Sequence, residues 1–239
     1  MASDGFAKND RVRLHYLDSG GAVSVGLPLV LVPGLRGSAE DFLPTMAGLA
    51  PRRSIALSLR GRGRSETPDL GYSFDDHVDD IAALVGEAHL IRFSIMAHSI
   101  GVTYAIGYAH RFPHRVAGLI LAGYPAHYPK LTADWALRVI EKYPGEMRVQ
   151  ALLGVQDDSS DLPLWDHLSE LTCPILVLRG GKSTSRLKEA AAEQYAEAVP
   201  HARIVTFPDS GHRLWRPDFD RYIHTIQTFL DDIDRSATG

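Results

Sequence analysis

Short, almost uninterrupted apolar segments alternate along this chain with longer amphipathic ones. The apolar segments occupy residues 12–17, 27–32, 54–59, 91–96, 116–122, 175–178 and 203–207. Continuous apolarity is typical of strands that are covered on both faces, as in a parallel sheet. The amphipathic segments at 74–87, 100–112, 187–199 and 219–233 have helical spacing. The alternation therefore predicts a three-layer α/β fold, in which helices cover both faces of a mostly parallel sheet.

One segment interrupts this alternation. No clear strand pattern occurs between residues 124 and 172, where helical patterns at 132–143 and 164–171 flank a polar, loop-like stretch at 156–161. A segment of this length is too long for a simple connection between two strands. We therefore predict a small helical cap at 124–172, over an α/β core formed by residues 1–123 and 173–239.

Charge and cysteine content exclude several classes of protein. The 239 residues include 25 Lys and Arg against 29 Asp and Glu, so the net charge of −4 gives no global reason to bind nucleic acid or an anionic membrane. The single cysteine, Cys173, excludes an internal disulfide framework, and we expect it to be a buried, unreactive thiol. We predict no metal, cofactor or membrane span. The lack of a secretory pattern favours a cytoplasmic location, and the oligomeric state stays open.

A serine lies where a predicted strand ends and a predicted helix begins. The stretch reads Ala97-His98-Ser99-Ile100-Gly101. It resembles the G-x-S-x-G nucleophile elbow of the α/β-hydrolase superfamily, with Ala97 in place of the first glycine. The resemblance implies that Ser99 is a nucleophile and that the Ile100 N–H is an oxyanion donor. A serine that only caps the helix is the alternative interpretation.

Two further loops resemble the same superfamily. Residues 32–37, which read V-P-G-L-R-G, resemble its oxyanion loop with Pro33 where histidine is usual, which implies that the Leu35 N–H is the second oxyanion donor. A simple Pro-Gly turn is the alternative. Residues 60–65, which read R-G-R-G-R-S, resemble the R-G-x-G-x-S turn beside the active site. Arginines that point to solvent explain this turn best, and an anion site is the alternative.

A histidine follows the last predicted strand. Residues 207–212 read F-P-D-S-G-H and resemble the superfamily segment that carries the general base, which implies that role for His212. Imidazole suits the role because its ordinary pKa lets it accept and return a proton near neutrality. We expect His98 to be a packing residue. His127, in the predicted cap, is a candidate substrate contact.

The acidic partner of that base is missing from both positions where the superfamily places it. Residues 179–185 read R-G-G-K-S-T-S, and residues 121–125 read L-A-G-Y-P. Ser183 can orient His212 by a neutral hydrogen bond, as a serine does in some relatives. Alternatively a carboxylate outside the motifs reaches His212, or the chain has left hydrolysis behind. The carboxylates considered are Asp157, Asp158, Asp161 and Asp209.

These features lead to three functional hypotheses. The first is a serine hydrolase of a small ester, thioester, lactone or activated carbon–carbon bond, in which Tyr124, Trp135 and Trp215 contact an apolar or aromatic small-molecule substrate. The aromatic side chains can equally serve only to pack the cap. The second is a lyase, cyclase or cofactor-free oxygenase that uses His212 as base. The third is a ligand-binding relative without turnover.

Overall fold

The computed structural model describes residues 2–21 and 25–238. Ten strands are found in this part of the chain: β1 (Ser3–Asn9), β2 (Val12–Asp18), β3 (Leu29–Val32), β4 (Ser54–Leu57), β5 (Phe93–His98), β6 (Val116–Ala122), β7 (His127–Tyr128), β8 (Leu162–Pro163), β9 (Ile175–Gly180) and β10 (Arg203–Phe207). Eight of them form the central sheet, in the order β1-β2-β4-β3-β5-β6-β9-β10. The first two strands are antiparallel, and all pairs from β4 to β10 are parallel. The predicted mostly parallel sheet is therefore confirmed.

The described residues form eight α-helices, of which six pack on the two faces of this sheet. They are α1 (Leu43–Gly48), α2 (Phe74–Glu87), α3 (Gly101–Arg111), α4 (Ala133–Lys142), α5 (Val149–Asp158), α6 (Trp165–Ser169), α7 (Glu189–Ala198) and α8 (Phe219–Thr238). Helices α2, α3, α6 and α7 pack on one face, whereas α1 and α8 pack on the other. Strand β5 shows this division, because its side chains alternate between the two faces. Ile95 and Ala97 pack under α2, α3, α6 and α7, whereas Met96 packs under α1 and α8.

The segment between β6 and β9 differs in detail from its prediction. Strands β7 and β8 pair antiparallel, with His127 opposite Pro163, where no strand was expected. Helix α5 continues to Asp158, through part of the stretch predicted as loop. Two-residue strands are too short to show the alternation on which strand prediction depends. The division into core and cap at 124–172 stays a prediction.

Candidate active site

Ser99 lies in a strained turn between β5 and α3. Its backbone φ is +56°, in the left-handed region that L-residues rarely adopt. The turn is crowded: a Cβ at Gly101 would lie 2.3 Å from the carbonyl oxygen of Pro33, and a Cβ at Gly34 would lie 2.8 Å from Ser99 Cβ. Glycine is required at Gly101 because the Pro33 backbone passes so close, and at Gly34 because the Ser99 side chain does. Ser99 itself is buried, with 9% of the residue exposed.

His212 lies in the loop after β10, and its ring faces this serine. Its Nε2 is 3.1 Å from Ser99 Oγ. The loop is fixed from below by Ser210, whose hydroxyl donates to the Arg216 carbonyl at 2.6 Å. His98 donates from Nε2 to the His212 carbonyl at 3.1 Å, and the two rings lie 4.7 Å apart. His98 thus supports the loop, in the packing position expected for it.

Two backbone N–H groups adjoin the serine hydroxyl. Ile100 is the N-cap residue of α3, and Leu35 follows the glycine that touches Ser99. Within residues 2–21 and 25–238, neither N–H donates a hydrogen bond to backbone. Two unused donors beside a hydroxyl are the arrangement that stabilises an oxyanion. The structure therefore brings Ser99 and His212 into contact, and the roles of the Leu35 and Ile100 N–H groups remain predictions.

The electrostatic surroundings keep the imidazole neutral. The pKa of His212 is lowered to about 3. Burial is the largest cause, and the neighbouring His98 and the positive charges of Arg186, Arg36 and Arg213 contribute further. A neutral imidazole can accept the proton of Ser99 throughout the physiological pH range. The same surroundings oppose the imidazolium that forms once the proton has moved.

Comparison with known proteins identifies the family. The profile of the family described as alpha/beta hydrolase fold matches residues 28–163. The chain belongs to the alpha/beta hydrolase fold family. It is 23% identical to 2-(acetamidomethylene)succinate hydrolase of Mesorhizobium japonicum, covering 97% of this chain and 98% of the relative. It is 24% identical to N-formylmaleamate deformylase of Pseudomonas putida, covering 97% of each. The predicted fold and the predicted enzyme of this superfamily are confirmed.

Solved structures show the same alpha/beta hydrolase fold. The enol-lactonase from Burkholderia xenovorans LB400 superposes with a TM-score of 0.78 at 20% identity, covering 95% of this chain and all of that one. An esterase from Exiguobacterium antarcticum gives a TM-score of 0.81 at 19% identity, covering 96% of this chain and all of that one. At these identities the likeness concerns the fold.

The second ring nitrogen of His212, Nδ1, faces away from Ser99, which its Nε2 contacts. His212 Nδ1 is buried and has no hydrogen-bond partner among the residues that the structure describes. The predicted orienting role of Ser183 is wrong, because Ser183 is exposed and Nδ1 receives no bond from it. The Ser183 carbonyl instead accepts from Lys188 Nζ at 2.6 Å.

The alternative carboxylates do not complete a triad either. Asp158 accepts from the Tyr72 N–H at 2.7 Å, and Asp161 lies 2.8 Å from His127 Nε2. Asp157 and Asp209 are both exposed, and neither bonds to His212 Nδ1. Of the possibilities open from sequence, two are therefore excluded in this structure: a serine at 183 and a carboxylate from these four residues.

The predicted substrate contacts divide into two groups. Trp215 lies 5.1 Å from the His98 ring, and Tyr124 follows Gly123, whose Cβ position is 3.6 Å from His212 Nδ1. Both therefore lie near the Ser99–His212 pair. Trp135 packs against a small cluster of Tyr72, Leu131, Ala151 and Val155, which Leu35 also contacts. His127 pairs with Asp161 at an exposed position.

Three charged residues near His212 were missed from the sequence. Arg36, Arg186 and Arg213 all act on the His212 ring, and Arg36 also stacks on the Tyr143 ring at 3.5 Å. The place of Arg36 beside the predicted donor Leu35 is a signal that could have identified it. Nothing in the sequence around Arg186 marks it, because the loop after β9 is brought to the site only by sheet order.

Metal-binding clusters and membrane-spanning helices are both absent from the described ranges. No group of three or more His, Cys, Asp or Glu residues in 2–21 and 25–238 could hold a metal ion. No helix in these ranges is both long enough and apolar enough to span a membrane. Cys173 is partly exposed rather than fully buried, and burial raises the pKa of its thiol to about 11, which disfavours the reactive thiolate.

Proposed function

We propose that the chain is a serine hydrolase that cleaves an acyl bond of a small molecule. The observation that supports this most strongly is the contact of 3.1 Å between His212 Nε2 and Ser99 Oγ, at a serine held at a φ of +56°. A strained backbone at a serine whose hydroxyl contacts a histidine is typical of a functional site. The unused N–H groups of Leu35 and Ile100 supply the second requirement, stabilisation of an oxyanion.

The geometry supports a two-step mechanism. Ser99 Oγ attacks the carbonyl carbon as its proton passes to His212 Nε2, and the carbonyl oxygen becomes an oxyanion bound by the two N–H groups. The tetrahedral species collapses, and the leaving group takes the proton from His212. Water then attacks the acyl-serine, gives its proton to His212, and releases the acid together with the Ser99 hydroxyl.

No carboxylate of the described residues bonds to His212 Nδ1, and this should make the cycle slow. In serine proteases, loss of the acid lowers kcat by about 10⁴-fold, because the imidazole is neither held in the right tautomer nor stabilised as a cation. The remaining catalysis comes from the oxyanion donors and from substrate binding. We therefore propose a slow enzyme, and an apolar acyl group that packs near Tyr124 and Trp215.

The relatives favour carbonyl compounds as substrates. Two of them are named 2-(acetamidomethylene)succinate hydrolase and N-formylmaleamate deformylase, and a structural neighbour is named an enol-lactonase. An acetamido group, a formyl group and a lactone each contain a carbonyl carbon that a nucleophile can attack. The shared chemistry agrees with nucleophilic attack by Ser99.

Hydrolysis of p-nitrophenyl esters of increasing acyl length tests this function. We expect turnover by the wild type, loss of at least about 10³-fold in Ser99→Ala, and loss of about 10² to 10⁴-fold in His212→Ala. His201→Ala, at an exposed histidine, is the matched control and should retain full activity. No turnover of any ester by the wild type would contradict the proposal.

One observation favours a second function. His212 Nδ1 is buried without a partner, whereas hydrolysis through an acyl-enzyme gains most from a paired imidazole. A lyase, cyclase or cofactor-free oxygenase needs His212 only as a base. This function is supported if Ser99→Ala keeps most activity on the true substrate while His212→Ala abolishes it.

A further inference from the structure

Arg62 is a buried guanidinium without an ion-pair partner of its own. Only 1% of the residue is exposed. Its Nε donates to the Leu35 carbonyl at 2.9 Å, and its Nη1 donates to the Arg60 carbonyl at 2.5 Å and to His77 Nε2 at 3.0 Å. Its Nη2 has no hydrogen-bond partner within the described ranges. A buried cation of this kind is costly unless an anion compensates its charge.

The other arginines of the same loop do have carboxylate partners. Arg60 binds Asp80 through Nη2 at 2.6 Å and Asp76 through Nη1 at 3.1 Å. Arg64 pairs with carboxylates at the protein surface. Asp80 also acts on Arg62 electrostatically, but its two oxygens are already engaged by the backbone and side chain of Arg60. Arg62 is therefore the arginine of this loop that still lacks an anion.

Two tyrosine hydroxyls share the surroundings of this guanidinium. Tyr104 and Tyr128 are fully buried, and neither hydroxyl has a hydrogen-bond partner outside this pair in the part of the chain that is described. Their rings lie 5.8 Å apart, and the two hydroxyls interact with each other and with the charge of Arg62. Burial raises the pKa of Tyr128 to about 12, so that its hydroxyl keeps a proton to donate.

The neighbouring His77 adds no free hydrogen-bond acceptor to this cluster. His77 Nδ1 lies 2.7 Å from the Ser73 carbonyl, to which only a protonated nitrogen can donate. Nε2 then accepts from Arg62, and the ring stacks on Tyr104 at 4.5 Å. The cluster consequently offers donors from Arg62, Tyr104 and Tyr128, and its remaining acceptors are the two neutral hydroxyl oxygens, which do not compensate the charge of Arg62.

We propose that Arg62 Nη2 and the hydroxyls of Tyr104 and Tyr128 form a binding site for a carboxylate. The site adjoins the reaction centre, because Arg62 holds the Leu35 carbonyl of the oxyanion loop and Tyr104 lies in the first turns of α3, the helix that follows Ser99. The carboxylate comes from a substrate or from a free small acid. The substrate source rests on the proposed hydrolytic function, whereas binding of a free acid does not.

Thermal unfolding in sodium acetate tests the site without any catalysis. With ionic strength held constant by sodium sulfate, the Tm of the wild type should rise saturably, by about 5 °C at 100 times Kd. Acetamide, the neutral isostere, should produce no such rise. The double variant Tyr104→Phe/Tyr128→Phe, which preserves both rings, should bind acetate at least about 10-fold more weakly.

A matched variant controls for the loss of a buried hydroxyl. Tyr108 also lies in α3 with a buried hydroxyl, but it packs beside Phe93 and Phe112 and interacts with Arg115 rather than with Arg62. Tyr108→Phe should keep the acetate response of the wild type. Absence of a saturable response in the wild type, or an equal response in the double variant, would overturn the site.

Two matched esters decide the source of the carboxylate. If the substrate carries it, the double variant should raise KM for p-nitrophenyl hemisuccinate at least about 10-fold while KM for p-nitrophenyl butyrate stays unchanged. Equal effects on both esters would overturn the substrate source. If the wild type cleaves neither ester, the hydrolytic function fails and acetate binding alone decides the site.

Discussion

Placing a carboxylate opposite His212 Nδ1 should convert the pair into a triad. Gly123 directly follows β6 beside the imidazole, and a Cβ added there would lie 3.6 Å from Nδ1, 3.7 Å from Leu214 Cδ1 and 3.8 Å from the His212 carbonyl. These are ordinary van der Waals distances, so a Cβ at position 123 clashes with none of these neighbours. A carboxylate oxygen two bonds beyond Cβ can then reach Nδ1.

The magnitude follows from the charge that is introduced. Opposite unit charges about 4 Å apart interact by about 4 kcal/mol at an effective dielectric constant of about 20. Since one pKa unit corresponds to about 1.4 kcal/mol, the pKa of His212 should rise by about 2 to 3 units from its value of about 3. We expect kcat/KM to rise by about 100-fold, less than the full effect of an acid in proteases.

The substitution also has a conformational cost. Gly123 has a φ of +74°, which disfavours a side chain by about 1 to 2 kcal/mol, although Asp and Asn tolerate this region better than most residues. Gly123→Asn has the same cost and no charge, and it is the matched control. Both variants should therefore lose similar free energy of unfolding, and only Gly123→Asp should gain activity.

The pH dependence of kcat/KM measures the change. His212 acts as a base only when neutral, so activity is lost as pH falls through its pKa, and a raised pKa moves that loss to higher pH. The wild-type acid limb should lie below pH 5, and that of Gly123→Asp about 2 units above it. Identical profiles for Gly123→Asp and Gly123→Asn would refute the reasoning.

Three further variants test separate parts of the structure. Ser183→Ala should leave kcat/KM within about twofold, since Ser183 is exposed, and a larger loss would restore its orienting role. Asp80→Asn, which leaves the buried Arg60 with only the partly buried Asp76 as a carboxylate partner, should lower the free energy of unfolding by about 3 kcal/mol in urea titration. Gly101→Ala should reduce kcat by at least about 100-fold through the displaced oxyanion loop. Gly86→Ala, with open space around it, is its helical control and should not be destabilised.

Elements buried on both faces were predictable from the sequence. Strand β6 is buried at every position, and a continuous apolar run reports that burial directly. Strand β1 was missed because its residues alternate between exposed and partly buried at the sheet edge. Helix α5 was missed because only Ala151, Leu152 and Val155 of its ten residues are buried, too few for a clear helical stripe.

The reaction centre was predictable because each residue is tied to a local motif. Ser99 and His212 were located by the strand that precedes each of them, and the structure brings their side chains to 3.1 Å. The partner of His212 was not predictable in this way, because it depends on which side chain crosses between loops. The state of Arg62 was not predictable either, because Asp80 is engaged by Arg60, which lies 20 residues away in sequence.

Intact-mass analysis after treatment with a fluorophosphonate tests the activated hydroxyl most directly. The wild type should gain one adduct that maps to Ser99, and Ser99→Ala should gain none. His212→Ala should label at least about 100-fold more slowly, since the proton then has no acceptor. An adduct on Ser99→Ala, or an unchanged labelling rate in His212→Ala, would contradict the account.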